Sequence, residues 1–168
     1  AVRERFANRS KPRVLFVMGT DRPTAAGERN FVADLIDVAG GTNAAADIPG
    51  VAPWRPTHID AIAKAAPDVI VCQVFSHGEV ASARGYWEGW EDVPASREGR
   101  VHVVADPLWS IPATHLPDLA EELGEMIHAA PSPGTTGAAM TLARAWLYRL
   151  FAAAVVGKVV AERAKAKG

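Results

Sequence analysis

The chain has 168 residues, 49% of them apolar and 22% charged. That is enough to bury the core of one domain with a small appendage, and too apolar for a disordered segment. Eighteen Lys and Arg against nineteen Asp and Glu leave a net charge of −1, which removes the electrostatic case for a nucleic-acid partner. A single cysteine, Cys72, excludes an internal disulfide and a Cys-rich zinc site. The balance conceals an asymmetry. Twelve basic and eighteen acidic residues precede Pro131, whereas six basic residues and Glu162 follow it. An acidic body therefore carries a basic tail.

Residues 1–10 are charged and read as the end of a helix or a linker; no apolar leader and no run of about 18 apolar residues is visible, so neither a secretion signal nor a span is expected here. Val14-Leu15-Phe16-Val17-Met18, closed by Gly19, predicts a buried strand. Phe31, Val32, Leu35, Ile36 and Ala39 recur at helical spacing within residues 28–39, and Gly40-Gly41 supplies the stop. Residues 43–56, with three prolines, predict a loop. Thr57 opens a helix with Asp60 three residues on, a capping-box pattern in which Asp replaces Glu or Gln, and Pro67 ends it. Residues 69–75 predict a second buried strand, Ser76-His77-Gly78 a turn, and residues 79–90 a helix packed by Trp87 and Trp90. A third strand is expected over 101–104 and a loop over 106–112. The stripe Leu116, Leu119, Leu123, Met126 and Ile127 predicts a helix to about residue 129. Residues 131–137 read as a Pro/Gly/Thr linker. Beyond it Leu142, Trp146, Leu150, Phe151, Val155 and Val159 recur at three- and four-residue steps, predicting a basic amphipathic helix over 138–168.

Strands that are apolar throughout and alternate with helices define an α/β, Rossmann-like, three-layer unit with a mostly parallel sheet. Ligands in such folds sit at the carboxyl ends of the strands. Those ends are the loops Gly19-Thr20-Asp21-Arg22, Phe75-Ser76-His77-Gly78 and Ala105-Asp106-Pro107-Leu108-Trp109, which converge if the strands are neighbours. No Gly-rich phosphate loop, nucleophile elbow or paired-histidine zinc motif is present. Ser76 and His77 are adjacent in sequence, whereas a catalytic pair needs spatial geometry. An enzyme using Asp21, His77 and Asp106, with Ser76 as nucleophile, is the alternative these loops leave open; an interaction module assembled by the tail is a third. Trp54 and Trp109 stand in Pro-rich loops, where a tryptophan either plugs the edge of a core or offers a flat apolar face to a bulky ligand.

The order of segments carries a resemblance. Lys11-Pro12-Arg13-Val14-Leu15-Phe16 is followed by Ala39-Gly40-Gly41-Thr42-Asn43 after an amphipathic helix. Then come Pro67-Asp68-Val69-Ile70-Val71, Trp87, and Gly99-Arg100-Val101-His102-Val103, with a closing helix near Ile127-His128. Over about residues 11–129 this resembles the C-terminal lobe of the helical-backbone substrate-binding proteins of ABC importers, which serve vitamin B12, haem and ferric siderophores. The likeness is greatest to the B12 binders, because Pro53-Trp54 stands six residues ahead of an acidic residue.

The resemblance implies two α/β lobes joined by one long helix, with the metal chelate clamped between them. Residues 1–10 match the end of that helix, and the N-terminal lobe has no counterpart in this chain. It implies a periplasmic or cell-surface binding module with no catalytic residues, no metal site and no cofactor of its own. Trp54 matches an aromatic that lies against the corrin ring, and Asp60 matches an acid that docks on the permease. Thr20, Asp21, His77 and Trp109 lie in ligand-facing loops. His115 stands where the family often has Arg. The tail has no counterpart in the family; packing, oligomerisation and contact with an anionic membrane are its three candidate roles.

Overall fold

The computed structural model describes residues 2–50, 53–111 and 115–130. The expected linker over 131–137 and basic helix over 138–168 lie outside these residues.

The apolar runs become the strands of one sheet. β1 (Arg13–Met18), β5 (Val69–Gln73) and β6 (Val101–Val104) are parallel neighbours, with Val14 opposite Val69 and Ile70 opposite Val101. Three short strands complete the sheet. β2 (Thr24–Ala26) runs antiparallel to the end of β1, β3 (Thr42–Asn43) runs parallel to its start, and β4 (Trp54–Pro56) runs antiparallel to β2. The spatial order is β4-β2-β1-β5-β6, with β3 also on β1.

Side chains alternate across this sheet and build a core on each face. Val14, Phe16, Val69 and Val71 pack against Val32, Leu35 and Ile36 of α2 (Phe31–Val38) and Leu119, Leu123 and Ile127 of α6 (Leu116–His128). Leu15, Val17, Ile70 and Cys72 face the opposite side. They meet Ile62 of α3 (Ile59–Ala65), Ala83 and Trp87 of α4 (Val80–Glu88), and Ala95 of α5 (Pro94–Arg97). Each fully buried branched or aromatic side chain contributes about 1.5–3 kcal/mol to holding these layers together. The result is the three-layer α/β unit with a mostly parallel sheet that the strand pattern implies.

Local chemistry sets the ends of α2. The Asn30 side-chain oxygen accepts from the N–H groups of Val32 and Ala33 at 2.9 and 3.1 Å, and its side-chain amide nitrogen donates to the Gly27 and Pro53 carbonyls. At the other end Gly41 N–H donates to Ile36 and Gly40 N–H to Asp37, the paired bonds of a Schellman stop. Gly40 takes a φ of 82° to make that turn, which only glycine adopts at little cost. The amino-terminal residues form the short helix α1 (Val2–Phe6). Arg3 pairs with Asp37, and Arg5 with Glu121 and Glu125. Phe6 is buried and stacks on the His128 ring at 5.2 Å.

Three expectations are corrected. Thr57 does not cap α3. It is buried, its N–H donates to Pro23, and the N-cap is His58, which makes no side-chain capping bond. Residues 43–56 are not wholly loop, because they hold the end of β3, a 3-10 turn over Ala44–Asp47 and the edge strand β4. The second strand stops at Gln73 rather than running to residue 75, so Phe75 leaves the sheet and stands 70% exposed.

Candidate functional site

Because β1, β5 and β6 are adjacent and parallel, the three loops at their carboxyl ends are neighbours, as the chain order requires. Gly19 turns out of β1 with a φ of 69° while its N–H donates to the Gln73 carbonyl, tying the first loop to the second. Thr20 is half-buried and Asp21 exposed in that loop. Phe75, Ser76 and His77 follow β5, all exposed. Glu79 reaches back to accept from the Phe75 N–H at 3.4 Å. After β6, Asp106 opens a 3-10 turn over Pro107–Ser110, and its carboxylate accepts from the Leu108 N–H at 2.9 Å.

Among the described residues three large apolar side chains are exposed: Phe75 at 70%, Ile111 at 51% and Leu108 at 40%. All three belong to the loops after β5 and β6. The other large apolar groups among the described residues are buried or half-buried, so this edge is where apolar surface is left to meet something else. The sequence singled out the loops but not these residues. The available signal was an apolar residue just past the last position a parallel strand needs.

The tryptophans divide. Trp109 is 1% exposed and stacks on Phe16 with ring centres 6.0 Å apart. Its expected role as an open stacking face is corrected: with Phe16, Leu119 and Leu123 in the same cluster, the ring is part of the core and has no free face. Trp54 is half-buried on β4 and meets Phe16 edge-on at 6.2 Å. Trp54, Phe16 and Trp109 therefore form a row across the sheet with Trp54 as its accessible end.

The polar groups at this edge are mostly acidic, with Asp21, Glu79 and Asp106 exposed beside Arg22 and His77. Partial burial, with Asp106 and Glu125 nearby, holds the Glu122 carboxyl above the ordinary carboxylate range. The Ser76 hydroxyl accepts from the Gly78 N–H at 3.2 Å and caps the turn there. Burial pushes the Cys72 thiol up to about 11, so it is a packed thiol at neutral pH. Among the described residues no three His, Cys, Asp or Glu side chains gather in a metal-binding group. Asp60 is exposed in the first turn of α3, which begins at this same end of the sheet because Pro56 pairs with Thr24 and Thr24 with Met18. A shallow depression of about 590 Å³ lies at the opposite end of the sheet, where Arg13, Arg29, Thr42 and Asp47 line it. It touches none of the expected site residues.

Apolar side chains and a few polar groups are thus presented at the carboxyl edge of a covered parallel sheet, the edge where α/β folds of this kind take ligands. Comparison with solved structures finds this fold in periplasmic substrate-binding proteins. The periplasmic haem-binding protein BhuT, solved with two haems, superposes with a TM-score of 0.62 and 28% identity, over 75% of this chain and 49% of its own. The haem-binding protein RhuT from Roseiflexus sp. RS-1 superposes at 0.64 with 26% identity, over 78% and 51%. The vitamin B12-binding protein BtuF of Vibrio cholerae superposes at 0.63 with 18% identity, over 75% and 48%. The chain thus has the fold of one half of these proteins and spans about half their length. No protein-family profile and no curated protein matches the sequence. No helix among the described residues is long and apolar enough to cross a membrane.

Proposed function

We propose that this chain acts, without bond chemistry, as the C-terminal lobe of an ABC-importer substrate-binding protein for a metal chelate of the cobalamin, haem or ferric-siderophore type. The observation that carries this is the gathering of Phe75, Leu108 and Ile111, the exposed large apolar side chains of the described lobe, on the edge where such a fold takes its ligand. A macrocycle or chelate with a broad apolar face removes that surface from water. Thr20, Asp21 and His77 supply polar contacts around it, and Trp54 flanks it from β4. Trp109 serves the site from beneath, by holding up the loop that carries Leu108.

Asp60 docks the importer's permease in this reading. It is exposed in the first turn of α3, where its carboxylate is open to an arginine of the permease. The setting is the periplasm or the cell surface, and a second lobe closes over the ligand from the other side. Binding by this lobe alone is correspondingly weak.

Titration of the chain with haemin, cyanocobalamin and a ferric hydroxamate, followed by tryptophan fluorescence and by the ligand's own absorbance, tests the proposal. Saturable binding of one class that weakens in Phe75→Ala and Trp54→Ala supports it. No saturable binding of any of the three contradicts it.

A further inference from the structure

Gln73 is one of three buried polar residues among the described positions, and it is wholly buried. It occupies β5, whose other members are Val69, Ile70, Val71 and Cys72. A polar side chain there is costly unless both ends of its amide are hydrogen-bonded. Both ends are, and both bonds go to the same loop. The amide N–H donates to the Asp106 carbonyl at 3.3 Å, and the amide oxygen accepts from the Ser110 hydroxyl at 2.7 Å.

That loop is held from every side. The Asp106 carboxylate fixes the Leu108 N–H, the Asp106 carbonyl accepts from Trp109, and the Leu108 carbonyl accepts from Ile111. His115, at the entry to α6, donates from Nε2 to the Leu108 carbonyl at 3.1 Å. Trp109 anchors the middle of the loop on Phe16. With residues 106–110 pinned in this way, Leu108 and Ile111 are turned outward while Trp109 is turned in.

We infer that Gln73, with Ser110, is a positioning pair that locks residues 106–111 into a preformed platform, so that Leu108 and Ile111 meet the ligand without first being ordered. The inference rests on the binding role proposed above. Neither residue touches the ligand; each acts through the loop. Preforming a contact loop raises affinity by removing the cost of ordering it on binding. Without the pair, that cost returns as weaker binding.

The test uses Gln73→Met in the full chain, which keeps length and approximate volume while removing both hydrogen bonds, and Ser110→Ala, which removes one bond at a half-buried site. Amide hydrogen exchange of residues 106–111 is measured without ligand, and haemin and cyanocobalamin are titrated into each variant. Both variants are expected to speed exchange in 106–111 while leaving β1 and β5 protected. Affinity for whichever probe the wild type binds should fall about tenfold or more, and the double variant should lose little beyond Gln73→Met. Ile62→Val, a truncation in the opposite core, should lower the unfolding temperature without moving affinity, which separates positioning from general stability. Unchanged exchange in Gln73→Met and Ser110→Ala overturns the platform. Faster exchange with undiminished affinity overturns its role in binding. A wild type that binds neither probe, nor a ferric hydroxamate, overturns the function proposed above, while the exchange data still decide whether the platform exists.

Discussion

Phe75 and Trp109 are similar side chains in adjacent loops, and their burial predicts opposite phenotypes. A Phe side chain presents about 200 Å². Phe75 is 70% exposed, so about 140 Å² faces water, and a flat ligand on one side covers about half of it. At about 25 cal/mol per Å² that contact contributes about 2 kcal/mol, or roughly 30-fold in affinity. Phe75→Ala should therefore weaken binding by about that factor while changing folding stability by no more than about 0.5 kcal/mol. Trp109, at 1% exposure and stacked on Phe16, is a core residue. Trp109→Ala should cost about 3–5 kcal/mol of stability. Trp109→Phe, which leaves a smaller void, should cost less and keep the chain folded for measurement. Chemical denaturation gives the stabilities and ligand titration the affinities. A Phe75→Ala variant that unfolds early but binds normally, or a Trp109→Ala variant of unchanged stability, would refute the assignment of surface and core at this edge.

Other sites give independent checks. A methyl group at Gly124 would overlap the buried Phe6 ring, so Gly124→Ala should destabilise by about 1–3 kcal/mol despite the better helix propensity of alanine; thermal unfolding should show partial recovery in Phe6→Leu/Gly124→Ala. Asn30→Ala removes both accepted bonds at the α2 N-cap and both donated ones, and should cost about 1–2 kcal/mol in denaturant unfolding. His102 is held below the ordinary histidine range by burial and by Arg84 and Arg100. The folded chain resists a proton that the unfolded chain accepts near pH 6.5, so stability falls as pH drops below about 6.5. His128 adds in the same direction, through burial with Arg9 and Arg100 against its bond to Ala39. The unfolding temperature of His102→Gln should therefore fall less than that of the wild type between about pH 7.5 and pH 5.5.

The central architecture is legible in the sequence because its elements are specified locally. Val14 to Val17 and Val69 to Cys72 are continuous apolar runs, and a strand covered on both faces needs no other signal. The Gly40-Gly41 stop of α2 is visible because a left-handed turn selects glycine. The edge strands are not legible. β2, β3 and β4 have two or three residues each, one of them Pro56, and exist because β1 offers backbone groups to β2 and β3, and β2 offers them to β4. The Thr57–Asp60 pattern misleads for a related reason: tertiary pairing of Thr57 with Pro23 moves the cap to His58.

At the candidate site the loops are predictable and the side chains are not. Phe75 continues the apolar run of β5 in sequence, yet the sheet ends two residues before it. Trp109 reads as a loop residue, yet Phe16 and α6 enclose it. Which of two neighbouring aromatics faces water depends on where the loop is pinned, and Gln73 does that from a strand whose pattern is otherwise apolar.

In the proposed function, ligand meets the carboxyl edge of the sheet. Backbone amide chemical shifts, followed while cyanocobalamin or diamagnetic gallium protoporphyrin is added to the chain, test it most directly. The largest shifts should fall on Thr20 and Asp21, on Phe75 to His77 and on Leu108 to Ile111. Shifts clustered instead around Arg13, Arg29 and Asp47 at the opposite end of the sheet, or no saturable shifts with these two ligands or with a gallium hydroxamate, would contradict it.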